Sequence, residues 1–161
     1  MIPAALLTEA EALLAACHAR RWRIATAESC TGGLIAAVLT AIPGSSNVLE
    51  RGFVTYSNDA KTELLGVPPA LLAQHGAISE AVACAMAEGA LARSRTELAI
   101  SVTGVAGPGG GSLEKPVGLV WFGIAQRGQA ARSERVVFTG DRTAVRAAAV
   151  AHAFAMIRGR M

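Results

Sequence analysis

Aromatic residues make up only 4% of this 161-residue chain, and lysine is scarcer still: Lys61 and Lys115 stand against thirteen arginines. So few rings exclude a core built on aromatic clusters. A hydrophobic fraction of 52% must then come mainly from Ala, Val, Leu and Ile, as in packed α/β layers. The three cysteines, Cys17, Cys30 and Cys84, are an odd number at long spacings, with no CxxC pair and no Cys/His cluster. Neither a disulfide framework nor a zinc site is indicated, and no metal or cofactor is expected. Free thiols point to a reducing compartment. No apolar run approaches the roughly 20 residues that span a bilayer, and no basic leader opens the chain. A soluble cytoplasmic protein is expected. A net charge of +3 without a Lys/Arg run gives nucleic-acid binding only a weak electrostatic warrant; an anionic small ligand fits equally well.

Helical and strand periodicities alternate along the chain. Apolar positions at Leu6, Leu7, Ala10, Leu13, Leu14 and Cys17 predict a helix over 4–20. Thr8 and Glu11 either form a capping box or lie on the exposed face of a helix begun at Pro3. Arg23-Ile24-Ala25 reads as a short buried strand. Thr26 to Gly33 follows it and opens a helix from Leu34 to about Thr40, stopped by Pro43-Gly44. A short helix at Val48-Leu49-Glu50, capped by Ser45 or Ser46, precedes a strand from Arg51 to Tyr56. Ser57-Asn58-Asp59 caps a helix carrying Lys61, Leu64 and Leu65. A short helix runs from Ala70 to Gln74, and Ser79 caps a long Ala-rich helix from Glu80 to about Arg93. Glu97 to Thr103 is a strongly apolar strand that enters the glycine-rich loop 104–112. Val117 to Ala125 and Arg135 to Phe138 form a hairpin about Arg127-Gly128-Gln129, and Asp141 caps a last helix to about Ile157. The expected fold is α/β, three layers α/β/α, one domain over 1–161. Its sheet is mixed and mostly parallel, with a C-terminal antiparallel hairpin. The 80–93 helix is apolar enough to serve a homodimer or higher homo-oligomer.

Two polar, glycine-punctuated loops follow strands, Glu28 to Gly33 and Thr103 to Ser112, and ligands of open α/β sheets bind where such loops converge. In the first, paired glycines leave room for a ligand, and the first amides of the helix favour an anion; otherwise Ser29 or Thr31 is a plain N-cap. Hydroxyls and amines collect at the predicted ends of elements: Ser29, Ser45, Ser46, Tyr56, Ser57, Lys61 and Thr103. His18, His75 and His152 are poorly placed to serve a serine, so no Ser-His-Asp constellation is legible. Lysine can act as the base only when neutral, which at pH 7 requires strong desolvation or nearby positive charge. A lysine kept where arginine is otherwise preferred points to a residue that must titrate or be compact. Lys61 is either that base or a solvated helix-face residue. Cys30, at a helix start, is either an activated thiol or a small buried residue. Asp141-Arg142 offers either an arginine beside backbone amides for a phosphate or an N-cap with a solvated neighbour. Glu114 and Lys115 read as an exposed pair.

Ala27-Glu28-Ser29-Cys30-Thr31-Gly32-Gly33, Pro43-Gly44-Ser45-Ser46 and the run from Arg51 to Lys61 together resemble the CinA C-terminal-domain family. Gln74 to Glu80, Ser101 to Pro108, Lys115-Pro116-Val117-Gly118 and Gly140-Asp141-Arg142 extend the resemblance over nearly the whole chain. Stand-alone members of that family are nicotinamide-mononucleotide amidohydrolases. The resemblance implies metal-free hydrolysis of the carboxamide of nicotinamide mononucleotide to nicotinic acid mononucleotide and ammonia, by a serine and a lysine. Under it, Lys61 is the base and Ser46, at a helix start, the first choice of nucleophile; Ser29 is the second, or orients the base or the amide. Tyr56 donates to the intermediate or stacks on the pyridine ring. Thr31, Gly32, Gly33, Thr103, Gly104 and Arg142 are candidates for ribose and phosphate. The competing class is a non-catalytic nucleotide-binding or partner-docking domain, for which an exposed Lys61 would speak. A cysteine amidase using Cys30 is the third.

Overall fold

A computed structural model describes residues 1–161. Five strands form one sheet in the order β2-β1-β3-β4-β5, with β1 Ile24–Glu28, β2 Leu49–Val54, β3 Leu98–Gly104, β4 Leu119–Gln126 and β5 Arg132–Val137. β2, β1 and β3 run parallel, while β4 and β5 add antiparallel pairs, the hairpin expected from the sequence. Register pairs Ile24 with Leu49 and Leu98 at one end, and Glu28 with Val54 and Val102 at the other.

Alternation along the strands sends large and small residues to different faces. Ile24, Leu98, Ile100 and Val102 meet α1 (Ala4–Ala19), α2 (Leu34–Thr40) and α6 (Arg142–Arg158) in the larger core. Ala25, Ala27 and Ala99 meet α3 (Asn58–Leu65), α4 (Pro69–His75) and α5 (Glu80–Ala92) in the smaller one. This is the three-layer arrangement expected. Small residues on the second face let α5 lie almost on the backbone. Ser101 Oγ donates to the Ala83 carbonyl at 2.6 Å, and a Cβ on Gly123 would come within 2.2 Å of that oxygen.

Several local expectations change. Thr8 Oγ1 donates to the Ala4 carbonyl, so it lies within a helix started at Pro3 rather than capping one. Val48 to Glu50 are not helical. A single 3-10 turn occupies Ser45–Asn47, Gly44 precedes it in a left-handed conformation, and β2 already starts at Leu49. Neither serine caps it through its side chain. Ser57, Ser79 and Asp141 do cap α3, α5 and α6, accepting from the amides of Ala60, Val82 and Ala144. The Ala-rich helix α5, expected to be available to a second copy, places Val82, Met86 and Ala90 in the core between the sheet, α3 and α4. No helix is long and apolar enough to cross a membrane.

Candidate active site at the carboxyl ends of the parallel strands

The residues with chemical potential gather where β1, β2 and β3 end. Glu28 closes β1 and Ser29 follows it, so adjacent side chains leave on opposite faces of the sheet. Glu28 turns toward α2. Its buried carboxylate accepts from the amides of Gly33 (3.1 Å), Ile35 (3.0 Å) and Ala36 (2.9 Å). The N-terminus of α2, which the sequence offered to a ligand's anion, is thus occupied by the chain's own carboxylate. Neither Ser29 nor Thr31 caps it; Gly33 is the capping residue, with φ +94°, after Gly32 at +60°. The role expected of these amides toward phosphate therefore has no room there.

Ser29 turns the other way, toward α3. Lys61 and Leu65 are one turn apart and form the buried edge of that helix. Lys61 is 1% exposed, and its Nζ donates to Ser29 Oγ at 3.0 Å and to the Thr55 carbonyl at 2.9 Å. No carboxylate pairs with this amine. Desolvation by burial lowers its pKa from 10.5, the direction a general base needs. The solvated helix-face alternative is excluded by that burial.

Ser46 is not brought to Lys61. It is exposed in the turn that precedes β2, whereas Ser29 lies past the end of β1. Because the two strands are parallel and in register, about five strand residues, roughly 17 Å, separate the two serines. The helix start that recommended Ser46 is a three-residue turn at the wrong end of the sheet. The strand predicted from Arg51 to Tyr56 already sets a crossing of the sheet between Ser46 and Lys61, and the structure shows that crossing as β2.

Around the dyad, Tyr56 is 63% exposed and its hydroxyl accepts from Arg142 Nη2 at 2.9 Å. Arg142 Nη1 also donates to the Gly107 carbonyl at 2.9 Å, tying the glycine-rich loop to the start of α6. A cleft of about 430 Å³ opens beside it, lined by Ala106, Pro108, Val117, Gly140 and Thr143 among others. Arg142 is therefore a neighbour of the mouth. Thr103 is buried and its hydroxyl donates to the Ala77 carbonyl at 2.9 Å, so its first partner is the turn before α5. Gly104 is needed by packing: a Cβ there would fall 2.5 Å from the Leu119 carbonyl oxygen. Thr31 is fully buried, its hydroxyl unpaired. Lys115 is no partner of Glu114; its amine donates to the His75 carbonyl at 2.9 Å and anchors the loop's far side.

Cys30 is 7% exposed, and burial pushes its thiol up to about 11. At pH 7.5 only about one such thiol in several thousand is ionised. The helix-start argument for a reactive thiol fails because Glu28 already holds the helix amides. Iodoacetamide at pH 7.5 is expected to leave the activity intact; rapid inactivation with alkylation mapped to Cys30 would restore the cysteine mechanism. An arginine and a tyrosine at the rim, with a lysine of lowered pKa on a serine below, suit attack on a carbonyl of an anionic substrate. No group of His, Cys, Asp and Glu could hold a metal ion.

Residues 7–161 match the CinA C-terminal domain family. The chain belongs to that family. A nicotinamide-nucleotide amidohydrolase, PncC, of Escherichia coli K12 is 51% identical over 153 residues, which are 95% of this chain and 93% of that protein. A competence-damage inducible protein of Symbiobacterium thermophilum is 52% identical over 86% of this chain, which covers only 34% of that longer relative. Among solved structures, the competence/damage inducible protein CihA from Agrobacterium tumefaciens superposes with a TM-score of 0.95 at 45% identity. That match covers 99% of this chain and 97% of the other. Within the CinA family the chain thus has near-full-length relatives as well as relatives more than twice its length.

Proposed function

We propose that this chain hydrolyses the carboxamide of nicotinamide mononucleotide to nicotinic acid mononucleotide and ammonia, with Ser29 as nucleophile and Lys61 as base. The observation that carries the reading is the 3.0 Å hydrogen bond between a buried lysine without a counter-ion and a serine at the end of β1. The 51% identity to an amidohydrolase of nicotinamide nucleotides supports the substrate class. The burial of Lys61 weighs against the non-catalytic alternative, for which an exposed lysine was the expected sign.

Neutral Lys61 Nζ takes the proton of Ser29 as Oγ bonds to the carboxamide carbon. The amides of Cys30 and Thr31 donate to no oxygen of the chain and are available to the oxyanion. The lysine ammonium then protonates the amide nitrogen, the C–N bond breaks and ammonia leaves. Water attacks the acyl ester, Lys61 takes its proton and returns it to Ser29 Oγ, and the carboxylate product departs. Tyr56 and Arg142 face the pyridine and phosphate parts. The single domain over 1–161 acts in the cytoplasm as a homo-oligomer in this reading. Three free cysteines support the compartment, and exposed Val54, Leu64 and Val137 support association.

Incubating purified protein with nicotinamide mononucleotide should yield equal amounts of ammonia and nicotinic acid mononucleotide. Ligand binding without turnover would return the chain to the binding class. The pH dependence follows from Lys61. Its pKa in the folded chain lies below 10.5, so kcat/KM should climb with pH along a limb that ends below that value. Stability shares the sign. The folded state binds fewer protons than the unfolded one between the two pKa values, so the lysine's contribution is complete above 10.5 and is lost as pH falls through the folded value. The Tm difference between wild type and Lys61→Met should therefore shift in favour of wild type from pH 7 to pH 9.5. A pH-independent difference would mean that Lys61 titrates normally.

A further inference from the structure

We propose that Arg146 is a positioning residue for the nucleophile, acting through the peptide that ends the Ser29 turn; the proposal rests on the reading of Ser29 as the attacking group. Arg146 sits one helical turn beyond Arg142 on α6, so the two side chains leave the same face of the helix. Their targets differ. Arg142 reaches the Gly107 carbonyl and the Tyr56 hydroxyl at the mouth, whereas Arg146 Nη2 donates to the Thr31 carbonyl at 2.7 Å, 115 residues away in sequence.

That carbonyl belongs to the Thr31–Gly32 peptide, whose N–H closes the turn by donating to the Ser29 carbonyl at 3.0 Å. Arg146 therefore grips from outside the peptide that fixes where Ser29 begins to turn, sharing its carbonyl with the Leu34 amide at 3.1 Å, while Glu28 holds the following amides from beneath. Between these two grips lie the amides of Cys30 and Thr31, which donate to no oxygen of the chain. Rotation of the Thr31–Gly32 peptide would break the bond from the Gly32 amide to the Ser29 carbonyl, and that carbonyl shares its peptide with the Cys30 N–H, so the Ser29–Cys30 peptide would lose its anchor.

The guanidinium is poorly rewarded in any other way. No carboxylate lies within ion-pair distance of it, and its Nε is buried without a partner. Even partial burial of a cation without a counter-ion is unfavourable, so a tether needed only for folding would be better served by a neutral donor. Arginine supplies a rigid planar donor that can hold one carbonyl in one orientation, which lysine does less well.

The test compares Arg146→Met and Arg146→Lys with wild type by three readings: kcat and KM for nicotinamide mononucleotide, Tm, and the rate at which a fluorophosphonate labels Ser29. In Arg146→Met, kcat should fall about 10- to 100-fold with KM changed by less than about threefold. Labelling should slow in parallel, and Arg146→Lys should recover part of both. A folded Arg146→Met with wild-type kcat and labelling would overturn the proposal. So would a raised KM at unchanged kcat, which would make Arg146 a substrate contact. If Arg146→Met does not fold, Arg146→Gln takes its place with the same readings; if neither folds, the role is structural and the proposal fails. Failure of the underlying reading looks different. Wild type that labels at Ser29 without hydrolysing the nucleotide removes the substrate, and the labelling rates still decide the role of Arg146. Wild type that does not label at Ser29 removes both.

Discussion

Ser29→Ala should lower kcat for release of ammonia from nicotinamide mononucleotide about 10⁴-fold or more, while Ser46→Ala should keep kcat within about twofold of wild type. The contrast follows from position. Ser29 Oγ is 3.0 Å from the only amine buried at the carboxyl ends of the strands, and Ser46 is an exposed residue at the other end of the sheet. Without the hydroxyl no acyl ester can form, and what catalysis survives comes from binding and from amide donors alone. Lys61→Ala should fall as far as Ser29→Ala, and the double variant no further, because the two groups act as one unit. Measuring kcat for all four variants, after circular dichroism shows each to be folded, checks the assignment. An inactive Ser46→Ala beside an active Ser29→Ala would reverse it.

The second large effect is on stability and has an unusual sign. Glycine inside a helix normally costs about 1 kcal/mol relative to alanine, so Gly89→Ala on α5 ought to stabilise. Here a Cβ at Gly89 would lie 2.0 Å from the Leu65 carbonyl oxygen and 2.9 Å from its carbon, both backbone atoms. No rotamer change relieves such an overlap; α3 must move. We expect Gly89→Ala to destabilise by about 2–4 kcal/mol in urea unfolding. Leu65 is one turn beyond Lys61, so the same displacement carries the base off Ser29 and activity should fall with stability. A variant as stable as wild type would show that α3 and α5 tolerate separation.

The layers and most elements were legible in the sequence because periodicity and caps report them directly. Ser57, Ser79 and Asp141 start helices as expected, and Lys61 stood out because arginine is used almost everywhere else. What sequence could not supply was the direction of side chains at the strand ends. Glu28 and Ser29 are neighbours in one motif, yet one serves a helix terminus and the other meets a lysine 32 residues on. Ser46 is a different case: its turn reads as a helix start but is a single 3-10 turn, and the strand that the sequence predicts from Arg51 to Tyr56 carries the chain across the sheet before it reaches Lys61. Thr103 and Gly104 looked like ligand contacts because they stand at a strand end, but packing against Ala77 and Leu119 accounts for both.

The carboxylate of Glu28 has a consequence for the energetics of the empty protein. In many α/β sites a glycine turn and a helix terminus take their final shape around an incoming phosphate, and part of the affinity goes into ordering them. Here the equivalent counter-charge is built in, so the turn is complete before any nucleotide arrives. On the proposed reading of Ser29 as nucleophile, affinity gathered from the rest of the nucleotide is then free to hold the carboxamide against it. The chain folds around its own anion, and that anion shapes the turn that carries Ser29.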